Sequence, residues 1–261
     1  MARLARGSNQ YQQRAGSTAI TPQTDVMGTM IKASAQWADV VRCAHQVQQY
    51  LPEAVPVGGF GAAIHAGHRV SIDVDSVLRD LTSNFDQVLS KMQQLAGWKT
   101  ARTRRPVLIL GRLLGVEVGL RQLRRSRPLE TEVLSVPGIG NITVPTSAEM
   151  LRTKAYMVST RNAVRDYVDV VAMADLLGPE QTTETLAHIG EYYPDQTDGQ
   201  PLLKDVLERL AMPTPTVPAG RTPQDDLARL RMVKPEYGDW RYIESRSRSL
   251  AVHALLRYSQ P

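Results

Sequence analysis

Residues 55–77, VPVGGFGAAIHAGHRVSIDVDSV, constrain this chain more than any other segment. A short apolar run ends at Gly58 and Gly59, small and apolar residues follow, and a second run then alternates with period two. Pro52 and Pro56 stop whatever precedes it. The pattern predicts a strand over 55–57, a glycine turn, a short packed helix over 59–66 and a second strand over 70–77 that returns beside the first. On that second strand Asp73 and Asp75, at i and i+2, project to one side, roughly 6.5 to 7 Å apart. Two carboxylates so placed repel each other unless a positive group stands between them.

A hard divalent ion is one such group. Mg²⁺ takes carboxylate oxygens and keeps waters for substrate phosphates, so a strand-borne Asp-x-Asp suits phosphoryl or nucleotidyl chemistry. A solvated acidic pair is the plainer alternative. Gly58 and Gly59 add a second element: backbone amides at a turn that opens a helix, with no Cβ to block approach, form an anion site fit for a triphosphate. A mere tight turn is the alternative there. A two-metal site takes a third acid from a neighbouring strand, and Glu117, between Val116 and Val118 in GVEVGL, is the candidate. A paired structural glutamate would look the same.

The rest of the chain divides into a mixed half and a helical half. Apolar positions at Met27, Met30, Ile31, Trp37, Val40, Val41, Ala44 and Val47 predict a long helix over about 24–50. Ser83 is placed to cap a helix to about Ala96, with Phe85, Val88, Leu89, Met92 and Leu95 inward, and Gly97 to end it. Between 98 and 145, β-rich segments alternate with Arg, Pro and Gly, closing a mixed sheet. Beyond Pro145, Thr146 or Ser147 caps a helix to about Thr160, a second runs over about 162–177, and others cover 180–192 and 200–211. MPTPTVPAGRTP (212–223) reads as a tether, followed by a helix over 239–257 packed through Trp240, Ile243, Leu250, Val252, Leu255 and Leu256. The expected class is α+β: a flexible tail over 1–24, a mixed-sheet core over 25–145 and a helical lobe over 146–261.

The 261 residues carry a formal charge of +5, which permits a polyanionic partner without requiring one. Basic residues concentrate in KTARTRR (99–105) and RQLRRSR (121–127), forming either a positive rim or a charge-protected sheet edge. In the helical half, Lys154, Arg161, Arg165 and Asp169 recur at intervals of seven, four and four, with Asp166 beside them. They form either a surface stripe of salt bridges or a set of cations for triphosphate oxygens, oriented by Asp166 and Asp169. His65 and His68 lack a third ligand nearby, which argues against zinc. The lone Cys43 excludes an internal disulfide and fits a reducing cytoplasm. No run approaches the length needed to cross a bilayer, and MARLARGSNQYQQRAGST lacks the apolar core of a secretory leader.

The run VGGFGAAIHAGHRVSIDVD resembles the first motif of the AbiEii/AbiGii-type nucleotidyltransferase toxins: a glycine turn, a short helix, then Arg-x-Ser-x-Asp-x-Asp, here Arg69, Ser71, Asp73 and Asp75. Lys154 in LRTKA and the run RNAVRDYVD look like that family's helical motifs. The resemblance spans roughly residues 50–178. It implies a polymerase-β-like nucleotidyltransferase core with a helical lobe, in a toxin of a bacterial toxin–antitoxin system. Its MenT-like branch transfers nucleotides to the acceptor end of tRNA, blocking translation. By matching position, Gly58 and Gly59 would cradle phosphates, Ser71 would sit beside the metal site, and Asp73 and Asp75 would bind Mg²⁺. Lys154 would contact the triphosphate and Asp169 would complete the site. Phe60 departs from the family, standing where a small hydroxyl residue often follows the glycines. The expected activity is Mg²⁺-dependent transfer of NMP from an NTP to RNA, most readily tRNA, with Arg102, Arg104, Arg105, Arg124 and Arg125 guiding the acceptor and a cognate antitoxin as partner. The alternatives are a protein or small-molecule hydroxyl as acceptor, or a non-catalytic nucleotide-binding regulator.

Overall fold

A computed structural model describes residues 35–194 and 201–258. The expected N-terminal tail, and Met27, Met30 and Ile31 of the first predicted helix, lie outside the described residues. Helix α1 (Ala35–Tyr50) buries Trp37, Val40, Val41, Ala44 and Val47, the stripe that its 3.6-residue period predicts. Strand β1 (Val55–Pro56), helix α2 (Gly58–Ala66), strand β2 (Arg69–Val70) and strand β3 (Asp73–Leu78) follow.

The predicted strand over 70–77 is therefore two strands. The break falls at Ser71, whose hydroxyl bonds the carbonyl of Asp73 at 3.2 Å and its carboxylate at 2.9 Å, a local alternative to ladder pairing. β2 turns away to pair antiparallel with β9 (Arg231–Met232), while β3 enters the main sheet. Helix α3 (Leu81–Gln94) begins at Asp80, not at Ser83, which lies inside it and donates back to the Asp80 carbonyl at 3.1 Å. Its inward residues Phe85, Val88 and Met92 are as expected.

Strands β4 (Lys99–Arg104), β5 (Leu108–Leu113) and β6 (Val116–Gln122) complete a five-stranded sheet in the order β1-β3-β6-β5-β4, with β3 and β6 parallel and the other neighbours antiparallel. Its period-two alternation divides the faces. Val74 and Leu78 of β3, Ile109 and Leu113 of β5, and Val118 and Leu120 of β6 join one core with α1 and α3. The opposite face carries the aspartates and remains accessible. Strands β7 (Thr131–Val136) and β8 (Gly140–Pro145) form a separate hairpin instead of joining the mixed sheet. Gln48 of α1 holds it in both directions through Thr143, at 2.7 and 2.9 Å.

The first helix after Pro145 starts at Ser147. Thr146 caps α4 (Ser147–Thr160) by accepting from the Glu149 amide at 3.2 Å. Helices α5 (Val164–Leu177), α6 (Pro179–Ala187), α7 (Ile189–Tyr192), α8 (Leu202–Ala211), α9 (Pro223–Leu227) and α10 (Trp240–Tyr258) follow. This lobe has its own core, and α2 joins the two: Phe60, Ala63 and Ile64 pack into the first, Ala62 and Ala66 into the second. The proline-rich segment after α8 is irregular, as predicted, but it is not a free tether. The Thr216 amide donates to the Asn162 carbonyl at 2.7 Å, and Asn162 Nδ2 donates to Thr214 at 2.8 Å. Helix α10 packs through Ile243, Ser247, Leu250, Ala251 and Ala254. That spacing leaves Val252, Leu255 and Leu256 on its outer side, contrary to expectation.

Candidate active site

Register builds the site. Asp73 stands opposite Glu117 and Asp75 opposite Gly119 across the parallel β3–β6 pair, with Val77 opposite Arg121. Across β5, Glu117 faces Arg112, Gly119 faces Leu110 and Arg121 faces Leu108. Across β4, Arg112 faces Lys99, Leu110 faces Arg102 and Leu108 faces Arg104. Side chains in register share a face. The open face of the sheet therefore runs from an acidic pole on β3 to a basic ridge on β4, about 14 Å away at three strand spacings. Asp73, Asp75, Glu117, Arg112, Arg121 and Gly119 help line a pocket of about 250 Å³ on it.

The glycine turn sits against the same carboxylates. Gly58 has φ +64°, a conformation open to glycine at little cost, and a Cβ there would lie 3.7 Å from that of Asp75. The Val57 amide donates to the Asp75 carbonyl at 2.7 Å, locking turn to strand. No side chain caps α2, so its first-turn amides are offered at the turn. Gly59 admits no side chain, since a Cβ would stand 2.8 Å from both Arg69 Nη2 and Ser71 Oγ.

Within the pocket the carboxylates carry local partners. Ser71, almost fully buried, donates to Asp73. Arg121 Nε donates to Asp75 at 3.1 Å and Arg112 Nη2 to Glu117 at 2.8 Å. Among the described residues no three His, Cys, Asp or Glu side chains form a ready metal cage, because Asp75 and Glu117 are turned toward their arginines. The donor chemistry nevertheless fits a hard cation: oxygen ligands only, on one face, with a glycine at 119 where a Cβ would come within 2.2 Å of Asp75 Oδ1. Asp73 and Asp75 would hold Mg²⁺, with Glu117 beside Asp73 in register.

The second constellation is assembled differently from the sequence expectation. Lys154, Arg161, Arg165 and Asp169 do not share one stripe, because the chain breaks at Arg161 and Asn162, where Asn162 takes φ +52°. Lys154 is 2% exposed, its Nζ 2.6 Å from Asp169 and 3.7 Å from Asp166. It does not line the pocket, and with both carboxylates engaging it there it is not presented to a triphosphate. Asp169, fully buried, receives Arg69 Nε at 2.7 Å and Nη2 at 2.9 Å, and His68 Nε2 at 2.8 Å. It is an anchor between the lobes instead of a further metal ligand. Arg161 closes the corner by pairing with Asp166 through Nε at 2.8 Å, and Arg165 is exposed on α5.

Burial would push the Asp169 carboxyl upward, but Arg69 and Lys154 overcome it and hold the group well below the usual carboxylate range. Arg69 links this cluster to the pocket. Burial opposes its charge, yet Asp169 and then Asp73 raise its pKa. Burial pushes the His68 pKa down against the opposing pull of Asp169. His65 is likewise pushed down by burial and bonds the Pro145 carbonyl at 2.6 Å, and His68 bonds the Asp169 carboxylate at 2.8 Å. Burial lifts the Cys43 thiol to about 12, leaving it inert.

The basic residues separate too. Arg102, Arg104 and Arg124 are exposed. Arg105 pairs with Asp86 at 2.5 Å and lies over the Phe85 ring. Arg125 is not part of a rim: it is buried, 2.6 Å from the buried Glu149, and lies over Tyr192 and Tyr193. Sequence reasoning missed Gly119 as a site residue and took Arg121 only as part of a basic run. The signal was present as Glu117, Gly119 and Arg121, alternate positions on β6 that mirror Asp73 and Asp75.

No family model matches the chain. It is 32% identical over 133 residues to the haem uptake protein MmpL11 of Mycobacterium tuberculosis, a match covering 51% of this chain and 13% of that protein. It is 28% identical over 135 residues to the mycolic acid-containing lipids exporter MmpL11 of Mycolicibacterium smegmatis, covering 51% and 13%. The chain thus spans about an eighth of the length of the curated relatives it matches, and no helix among the described residues is long and apolar enough to cross a membrane. Among solved structures, an antigenic nucleotidyltransferase-like protein of Paracoccidioides brasiliensis aligns at a TM-score of 0.43 with 18% identity, covering 66% of this chain and 94% of that one. MenT4, a nucleotidyltransferase toxin of Mycobacterium tuberculosis, aligns at a TM-score of 0.52 with 16% identity over 89% of each chain. Through that likeness, the α+β architecture of a mixed sheet with an added helical lobe is a nucleotidyltransferase fold.

Proposed function

We propose that the chain is a Mg²⁺-dependent nucleotidyltransferase that moves NMP from an NTP to an RNA hydroxyl, with the acceptor end of tRNA as the first candidate. The observation that carries this reading is the seating of the Gly58 turn directly on Asp75, with Asp73 and Glu117 beside it on the same open face. Amides of the turn would meet phosphate oxygens, and Asp73 and Asp75 would hold the cation. When bound, Mg²⁺ supplies neutralisation of the triphosphate and acidifies the attacking hydroxyl. Ser71 fixes the orientation of Asp73, and Arg69 balances its charge from beneath. The ridge of Lys99, Arg102 and Arg104 gives an RNA backbone a basic track leading to the carboxylates.

The likeness to a toxin supports growth inhibition as the outcome and a cognate antitoxin as the partner. The test is incubation of the pure protein with each labelled NTP, Mg²⁺ and total tRNA. Label migrating with RNA, lost in Asp73→Ala, is expected. Label on protein or on a small molecule would redirect the acceptor, and no transfer to any acceptor would reject the reading.

A further inference from the structure

The two aspartates of the site are held in unlike ways. Asp73 is tied to buried Ser71 at 2.9 Å and faces the charge of buried Arg69. Asp75 instead pairs with Arg121, and both side chains are partly open to solvent, at 36% and 46%. Arg121 reaches it because residue 119, directly across from Asp75, is glycine; the carboxylate leans over a place where a Cβ would be 2.2 Å from Oδ1. Arg112 and Glu117 form a similar open pair on the flank of the same pocket. Ion pairs this exposed add little stability and exchange readily. A guanidinium is also a planar donor fork that suits phosphate as well as carboxylate.

We propose that Arg121 is the internal counter-ion of Asp75, displaced when a divalent cation takes that carboxylate and then available to a phosphate group in the same pocket. One cation thus serves two anions in turn, which keeps the site's charge balanced before and after loading. This rests on the nucleotidyl-transfer reading above.

Mn²⁺ titration followed by electron paramagnetic resonance tests the first half without any turnover. Removing the competing charge in Arg121→Gln should tighten Mn²⁺ binding about two- to fivefold, the range an exposed ion pair allows. Arg121→Lys should stay near wild type, and Arg102→Gln, about 14 Å away, should leave it unchanged. In Asp75→Asn the further change Arg121→Gln should have no effect on Mn²⁺. With Mn²⁺ saturating, Arg121→Gln should bind a non-hydrolysable triphosphate analogue or a short RNA oligonucleotide about tenfold less tightly, for the loss of a charge-assisted bond. Whichever arm weakens identifies the phosphate. Unchanged or weaker Mn²⁺ binding in Arg121→Gln overturns the proposal, as does unchanged binding in both phosphate arms. If wild type and Asp73→Ala alike bind no Mn²⁺, the underlying reading falls with it.

Discussion

Arg69 and Asp169, a hundred residues apart, form a bidentate ion pair at 2.7 and 2.9 Å in a fully buried setting. It joins the strand that leads into the aspartates to the middle of α5. Lys154 and His68 complete the shell around the same carboxylate.

Removing that carboxylate should therefore act on stability before it acts on chemistry. Asp169→Asn takes from buried Arg69 and Lys154 their nearest counter-charge, a class of change that costs about 3–5 kcal/mol. Urea unfolding should show the loss. Adding Lys154→Met should recover part of it, giving a coupling in a double-mutant cycle. Equal stability of Asp169→Asn and wild type would contradict the anchor role.

The same cluster makes stability depend on pH. The Asp169 pKa is depressed on folding, so its contribution is in full above the unfolded carboxylate range, near pH 4, and is lost as pH falls toward the folded value. His68 and His65 are also depressed, by burial, so the unfolded chain binds protons that the folded one refuses below their ordinary value of about 6.5. Stability should decline from about pH 6.5 downward, by at most about 1.4 kcal/mol per pH unit for each histidine. Denaturant midpoints between about pH 7.5 and 5.5 measure this, and His68→Gln should flatten the decline.

Gly119→Ala places a methyl group where Asp75 Oδ1 now lies, at 2.2 Å. The side chain of Asp75 can swing away, so the fold should survive with a small change in melting temperature while transfer activity falls at least about tenfold. Activity at the wild-type level would show that the tilt of Asp75 has no role.

Arg102 and Arg104 lie exposed on the ridge opposite the acidic pole. Replacing either with Gln should weaken RNA binding at all sequences alike and lower the slope of log K against log salt by about one unit for each phosphate that the arginine neutralises. A slope identical to wild type would remove that residue from the track. Arg125→Gln should instead disturb folding, since its partner Glu149 is fully buried.

Local patterns in the sequence were enough for the glycine turn, the direction of Asp73 and Asp75 and the cap at Thr146, whereas the helix expected to run to Ala96 and stop at Gly97 already ends at Gln94, with Leu95 as its C-cap. Glu117 was found by strand logic, and the register places it beside Asp73. Several failures depended on partners distant in sequence, and others on local bonds that the periodicity does not show. Arg125 and Arg124 are adjacent and look alike, and only the docking of Glu149 buries one of them. Lys154 carries a motif that suggests phosphate binding, but α5 brings Asp166 and Asp169 to it. Ser71 ends a strand because its hydroxyl finds Asp73, and β9, far along the chain, captures what precedes it.

That capture bears on when the protein becomes competent. The carbonyl of His68 accepts from the amides of Val233 and Lys234, Lys234 Nζ donates to the Ala66 carbonyl at 2.9 Å, and β2 has β9 as its strand partner. The short link that aims Ser71 at Asp73 is thus buttressed by residues far downstream of it in the chain. A chain folded only through its sheet would hold its aspartates on an unfinished hinge, so the geometry of the pocket is complete only once residues 231–234 dock.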